Sequence, residues 1–415
     1  MWDGFTGPSL FLYLFKERST RQTNGDLKRG RNHCMNLFDD IVRTKTTKKS
    51  FSEPDYPYLN ESALPQLQRI RILLEQWFAD FTRMNQTGPL KKYQDKLRNI
   101  CAEFRLEDTR KHWGAFFELY CHELFRTQSY VVEVEPTRGM TKGRPVDFLV
   151  YREETPLFYL EATISIGDEA KDKSLVWLDK LCDSLDKLES SNFRLELVAI
   201  DIPLKSSRTP STKTLLEYVG KQLTERDPDE VLSQMREQGL HSLLLKDFDE
   251  DEFKIQIYLW PVSLERRQPT SGGILSLISP PAEWSYDREL KPLFNSLDDK
   301  RPSKYGDFDL PYIIAVDAVY TMSHNNISDT LINQRYFEKH PKVSAVLMAN
   351  ELIPIAIPRN TPVLWHNPFA TYPLDHDILP LSQKIWDRQT SQWSFIEEGK
   401  TGAEIFHLNR KWPDE

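Results

Sequence analysis

From Ala63 onward, apolar residues recur at three- and four-residue steps. Leu67, Ile70, Leu74, Trp77, Phe78 and Phe81 form one stripe, which predicts an amphipathic helix. A second helix is expected from Pro89 to about Phe104, opened by the proline in its first turn. A third begins near Glu107, with Trp113, Phe116, Phe117, Tyr120 and Leu124 at helical spacing. The period then shortens to two. Residues 130–135 alternate as a half-buried strand, 146–151 and 157–166 follow as two more, and the polar stretch 153–156 supplies a turn between them. A helix over about 168–188 and a strand over 194–202 complete the order helix, three strands, helix, strand. A strand, a crossover helix and a returning strand predict a mixed sheet flanked by helices, in a mixed α+β fold.

Beyond this core, 210–223 reads as helix. Asp227-Pro-Asp-Glu is a further helix start, with Asp at the N-cap and Pro at the first helical position. The acidic run 249–252 is expected as a solvated loop, and 253–260 alternates as a strand. The turn-rich stretch 266–273 suggests a boundary, and 312–316 and 343–348 are strand-forming. The expected division is a basic arm and N-terminal helical region over 1–105, a core over 106–265, and a C-terminal α/β region over 266–415 to which the sequence assigns no role.

Length agrees with several domains, since 415 residues exceed one ordinary core. A hydrophobic content of 39% is enough to bury a sizeable interior, which argues against general disorder. The net charge of -8 does not favour nucleic acid, but binding depends on a local basic face. The first fifty residues hold ten Lys or Arg against five Asp or Glu, with Lys28, Arg29 and Arg31 in one group and Lys45, Lys48 and Lys49 in another. That arm reads equally as solvated or as phosphate-contacting. Cys34, Cys101, Cys121 and Cys182 form no CxxC pair and no zinc spacing, and Cys121 and Cys182 are expected as buried free thiols, in keeping with a reducing cytosol. No apolar run is long enough to span a membrane, and 10–15 lacks the flanks of a signal peptide. A cytoplasmic protein is expected.

Two acidic residues draw attention to chemistry. Asp147 opens one strand, and Glu161 lies mid-strand in the next, flanked by Leu157, Phe158, Tyr159, Leu160, Ala162 and Ile164. A charge in such a setting is costly unless it is paired or bound to a metal. Carboxylates on neighbouring strands can hold Mg²⁺, which prefers oxygen ligands and keeps positions open for water and phosphate. Such an ion polarises a phosphodiester and generates the attacking hydroxide.

Asp147, then Glu161-Ala-Thr163, after a helix carrying Glu118, resembles the PD-(D/E)XK nuclease superfamily over about 100 residues. The resemblance implies a restriction-endonuclease-like core, with Asp147 and Glu161 as ligands of Mg²⁺ (or Mn²⁺) and Glu118 assisting as a ligand or through water. It also implies a hydrolase, an endonuclease cutting DNA, in bacterial defence against foreign DNA. The chain departs from the pattern at Thr163, where the family lysine would stand, and a threonine supplies no positive charge. Lys173 is taken as the replacement, with Lys171, Lys142 and Arg144 as rivals. The alternatives are a degenerate nuclease-fold module that binds nucleic acid or a protein partner without cleavage, and an unrelated α/β protein in which Glu161 is satisfied by an Arg or Lys partner.

His122, four residues after Glu118, shares its helix face and is a candidate partner for it, and Glu123 is a rival carboxylate. Asp201 and Asp317 read as ordinary strand-end acids, and His366, in Trp365-His-Asn-Pro, is of interest but has no partner in the sequence. No phosphate-binding glycine loop, GxSxG element or nucleotide fingerprint occurs. Besides DNA, a protein partner or a second copy of the chain stays open.

Overall fold

The computed structural model describes residues 36–83, 90–138, 145–166, 173–201, 210–250, 253–267, 273–279, 290–318, 327–333, 335–350, 352–397 and 399–415. The chain divides into two compact units.

The larger unit contains the described residues that lie within 36–47, 55–167 and 287–415. Its helices α1 (Asp55–Glu61), α2 (Pro65–Arg83), α3 (Leu90–Phe104) and α4 (Thr109–Arg126) precede the strands. The α2 stripe is buried as expected, from Leu67 through Phe81. Asp108 caps α4 by accepting from the Lys111 N–H, satisfying one of the backbone donors of the first turn. Strands β1 (Val131–Val134), β2 (Phe148–Arg152) and β3 (Thr155–Ser165) form an antiparallel meander.

In the smaller unit, Lys48–Pro54 joins the described part of Asp168–Tyr286. It holds α5 (Lys173–Asp186), β4 (Phe193–Asp201), α6 (Lys213–Glu225), α7 (Pro228–Gln238), β5 (Leu244–Glu250), β6 (Phe253–Pro261) and β7 (Leu275–Ser279). Its sheet runs β5-β6-β4-β7, with β4 parallel to β7 and the other pairs antiparallel. Leu178, Leu181, Cys182 and Leu185 of α5 pack with Leu195 and Leu197 of β4 and Ile255 and Ile257 of β6 in its own core. Asp227 caps α7 as its sequence predicts, accepting from the Asp229 and Glu230 N–H groups. Asp249 and Glu250 are not in a loop. They end β5 and pair opposite Lys254 and Phe253 of β6.

The larger unit resumes with α8 (Lys291–Asp299), β8 (Tyr312–Ala318), β9 (Ala345–Asn350), β10 (Val363–His366), β11 (Ser382–Asp387) and β12 (Gln392–Glu397). Its eight-stranded sheet has the order β1-β2-β3-β8-β9-β10-β11-β12 and is mixed, with β3, β8 and β9 mutually parallel. Helix α4 packs against β1 and β3, and α8 packs against β3 and β8.

This arrangement corrects two expectations. The strand returning beside β3 is β8, not β4. All seven residues of β8 are buried, the continuous apolar pattern of a parallel strand covered on both faces. It fills the β3 edge, while β4 pairs only within the smaller sheet. The division at 105 and 265 is likewise replaced, because 168–286 folds around its own core and 287–415 completes the sheet that carries Asp147 and Glu161. Cys101, Cys121 and Cys182 are buried free thiols; Cys34, Lys28, Arg29 and Arg31 lie outside the described residues. Among the described residues, no helix is long and apolar enough to cross a membrane.

Candidate active site

The register of β2 on β3 sets the site. Phe148, the first residue of β2, lies opposite Leu160, so β3 runs on past the start of its neighbour. Asp147 therefore stands beside Glu161 where the two strands part. The carboxylates are locked to the backbone reciprocally. The Asp147 N–H donates to Glu161 Oε2 at 2.9 Å, and the Ala162 N–H donates to Asp147 Oδ2 at 2.9 Å. Glu161 is 2% exposed and Asp147 is 8% exposed, so both charges need partners.

Two lysines supply them. Lys300, just beyond the C-terminus of α8, places its ammonium 2.5 Å from Glu161 Oε1, and the Tyr305 hydroxyl donates to the same oxygen at 2.6 Å. Lys96, from α3, lies 3.3 Å from Asp147 Oδ1 and 2.6 Å from Glu118 Oε2. Glu118 of α4 thus joins the site through Lys96.

The electrostatics follow from burial and from this wiring. Burial pushes the Glu118 carboxyl up to about 7, although Lys96 pulls in the opposite direction. Burial and the neighbouring Asp147 charge also raise Glu161, against Lys300. Burial would raise Asp147 too, but Lys96, Lys300 and the Ala162 N–H together hold it below the ordinary aspartate range. Both ammoniums are raised, because the carboxylates around them outweigh their burial. The site therefore holds three carboxyl groups and two ammoniums, with the Glu118 carboxyl the most strongly raised.

Lys173 starts α5 in the smaller unit, and its side chain lies outside the described residues, as do Lys171, Lys142 and Arg144. His122 does not pair with Glu118. Its Nδ1 lies 2.9 Å from Glu123 Oε1, and Glu123 is also bound by Arg126. His366 is a buried partner of Gln383, with its pKa lowered to about 4 mainly by burial. Asp317 accepts from the Leu352 N–H. Lys96, Lys300 and Tyr305 were not singled out from the sequence. Lys96 carried a signal: it sits four residues before Ile100 and eight before Phe104, on the buried side of α3. Lys300 and Tyr305 carried none.

The donor set suits a hard cation, since every candidate ligand is a carboxylate oxygen. Each oxygen of the two strand carboxylates already has a partner, Lys96 and the Ala162 N–H on Asp147, and Lys300, Tyr305 and the Asp147 N–H on Glu161. Among the described residues, no group of three His, Cys, Asp or Glu side chains is arranged to hold one metal ion. In comparisons with known proteins, the chain matches no family model, no curated protein and no solved structure.

Proposed function

We propose that the larger unit is a Mg²⁺-dependent nuclease core of the PD-(D/E)XK type that hydrolyses DNA. Its order of elements is α4, β1, β2, β3, α8, β8, which is helix, three strands, helix, strand, with the smaller unit inserted between β3 and α8. The observation that carries the reading is the Lys300 ammonium on Glu161, a positive charge at the site that Thr163 does not provide.

In this reading Asp147 and Glu161 hold the cation, which when bound supplies Lewis-acid polarisation and a more acidic water. Lys300 contributes charge stabilisation at the phosphate. Tyr305 and the Asp147 N–H fix the orientation of the Glu161 carboxylate, so its geometry is set before substrate arrives. Glu118, its carboxyl pushed up to about 7 by burial, can hold or release a proton there near neutral pH.

The test is cleavage of supercoiled and linear DNA with Mg²⁺ or Mn²⁺, comparing the natural chain with Asp147→Ala, Glu161→Ala and Lys300→Met. Loss of cutting in all three supports the assignment, and cutting that survives Asp147→Ala and Glu161→Ala refutes it. Defence against foreign DNA rests on the family resemblance alone, and protection of cells against phage infection by the natural chain but not by Asp147→Ala is its test.

One observation favours a second reading. Lys96 and Lys300 already compensate the carboxylates without a metal ion. A module that binds DNA without cutting would show retention of DNA unaffected by chelator and no product with any divalent ion.

A further inference from the structure

Helix α2 carries a charge within its buried stripe. Arg71 stands between Leu67 and Leu74 at helical spacing and is 7% exposed. Its Nη1 donates to the Leu59 carbonyl of α1 at 2.6 Å. A guanidinium has five N–H donors, so one such bond leaves most of its capacity unused. Among the described residues no carboxylate pairs with it: burial, with the Arg43 charge adding, pulls its pKa down to about 10, and no acid opposes them.

Arg71 lines a cavity of about 1020 Å³ in the larger unit, formed chiefly by residues of 36–43 and α2. That volume lies at the upper end of small-molecule sites, about 300–1,000 Å³. Arg43 lines it too, and donates to the backbone carbonyls of Asn60, Ile41 and Asp39 rather than to an acid. The acids of the wall are engaged otherwise. Glu75 accepts from the Leu37 and Phe38 N–H groups at 3.1 and 2.8 Å, Asp39 pairs with Arg105 at 3.2 Å, and Asp40 is exposed to solvent. A buried charge without a counter-ion is destabilising, so an anion that reaches Arg71 relieves it.

We propose that this cavity binds a phosphate group, free or carried on a small molecule of nucleotide size, with Arg71 as its anchor and Arg43 as a second positive charge. A phosphate monoester carries about -1.5 to -2 near neutral pH, which two guanidiniums match and a single carboxylate does not need. The planar guanidinium fork suits phosphate oxygens, and the Leu59 carbonyl fixes its place before a ligand arrives. The proposal uses no residue of the carboxylate site and stands apart from the nuclease reading.

Calorimetry on the full chain with inorganic phosphate, adenosine monophosphate, adenosine and acetate tests it. The natural chain is expected to bind phosphate and adenosine monophosphate, and neither adenosine nor acetate. Tighter binding of the nucleotide than of phosphate means the nucleoside is held as well, and equal binding means the phosphate alone is recognised; both support the site. Arg71→Met is expected to weaken phosphate at least about tenfold, the loss of a hydrogen bond to a charged group. Ile72, also in the wall, is 62% exposed, so Ile72→Glu leaves the core untouched and keeps the test decisive if Arg71→Met does not fold. It is expected to weaken phosphate about threefold by repulsion. Phosphate binding unchanged in either variant overturns the proposal, as does no binding by the natural chain, or adenosine or acetate bound as tightly as phosphate. A single-stranded oligonucleotide that binds through Arg71, where phosphate and adenosine monophosphate do not bind, assigns the cavity to DNA and also overturns it.

Discussion

Removing the Lys300 ammonium tests whether the charge balance around Glu161 is what the geometry implies. In Lys300→Met the Glu161 carboxylate, 2% exposed, keeps the Tyr305 O–H and the Asp147 N–H but loses its ion pair with Lys300. Breaking a buried pair by deleting one partner costs about 3–5 kcal/mol, because the other charge is left uncompensated. The two remaining donors place this site at the low end, about 3 kcal/mol. The cost must also depend on pH. Burial and Asp147 already raise the Glu161 carboxyl, and Lys300 is the chief group opposing them, so its loss raises that carboxyl further. A group with a raised folded-state pKa contributes stability that is fully present below its unfolded value, about 4.3, and is lost as pH rises through the folded value. The defect in Lys300→Met is therefore smaller at acid pH and larger at alkaline pH. At about 2–4 °C per kcal/mol, the melting temperature should fall by roughly 6–12 °C at alkaline pH. Melting of both chains from acid to alkaline pH measures it. An equal loss at both ends, or no loss at the alkaline one, would refute the reasoning.

Three further outcomes follow from the same wiring. Tyr305→Phe removes a hydroxyl donor from the buried Glu161 carboxylate and should cost about 1.5–3 kcal/mol by chemical denaturation; a cost under about 0.5 kcal/mol would mean the bond is idle. Glu118 titrates at about 7, above its unfolded value, so it should make the natural chain lose stability as pH rises toward and through about 7. Glu118→Gln should flatten that slope, and an unchanged slope assigns the pH dependence elsewhere. Gly402→Ala would place a Cβ 1.8 Å from the Ile357 carbonyl oxygen, which is backbone and has little room to yield. A loss of about 1–3 kcal/mol is expected from such overpacking, read as a lower melting temperature, and an unshifted melt would show that the 354–359 turn yields freely.

Local periodicity is what the sequence by itself determined. The stripe of α2, the aromatic run of α4 and the alternation around β1, β2 and β3 each depend only on neighbours along the chain, and each element forms close to where its pattern places it. The apolar flanks of Glu161 marked it as a costly charge for the same reason, and Asp147 was legible from the short turn that makes its strand a neighbour. Pairing across long stretches of chain was not legible. Strand β4 alternates as well as any strand, yet nothing in its own residues tells that β8, more than a hundred positions after β3, takes the adjacent edge. The partners of the acids were hidden by the same separation. Lys96 lies 51 residues before Asp147, and Lys300 lies 139 residues after Glu161. Charged residues in solvent and charged residues aimed into a site look alike in sequence. Only the packing of α3, α4 and α8 around the parting of β2 and β3 decided that Lys96 and Lys300 sit against the carboxylates, because burial forces each acid to find a cation and tertiary structure alone determines which cation is within reach.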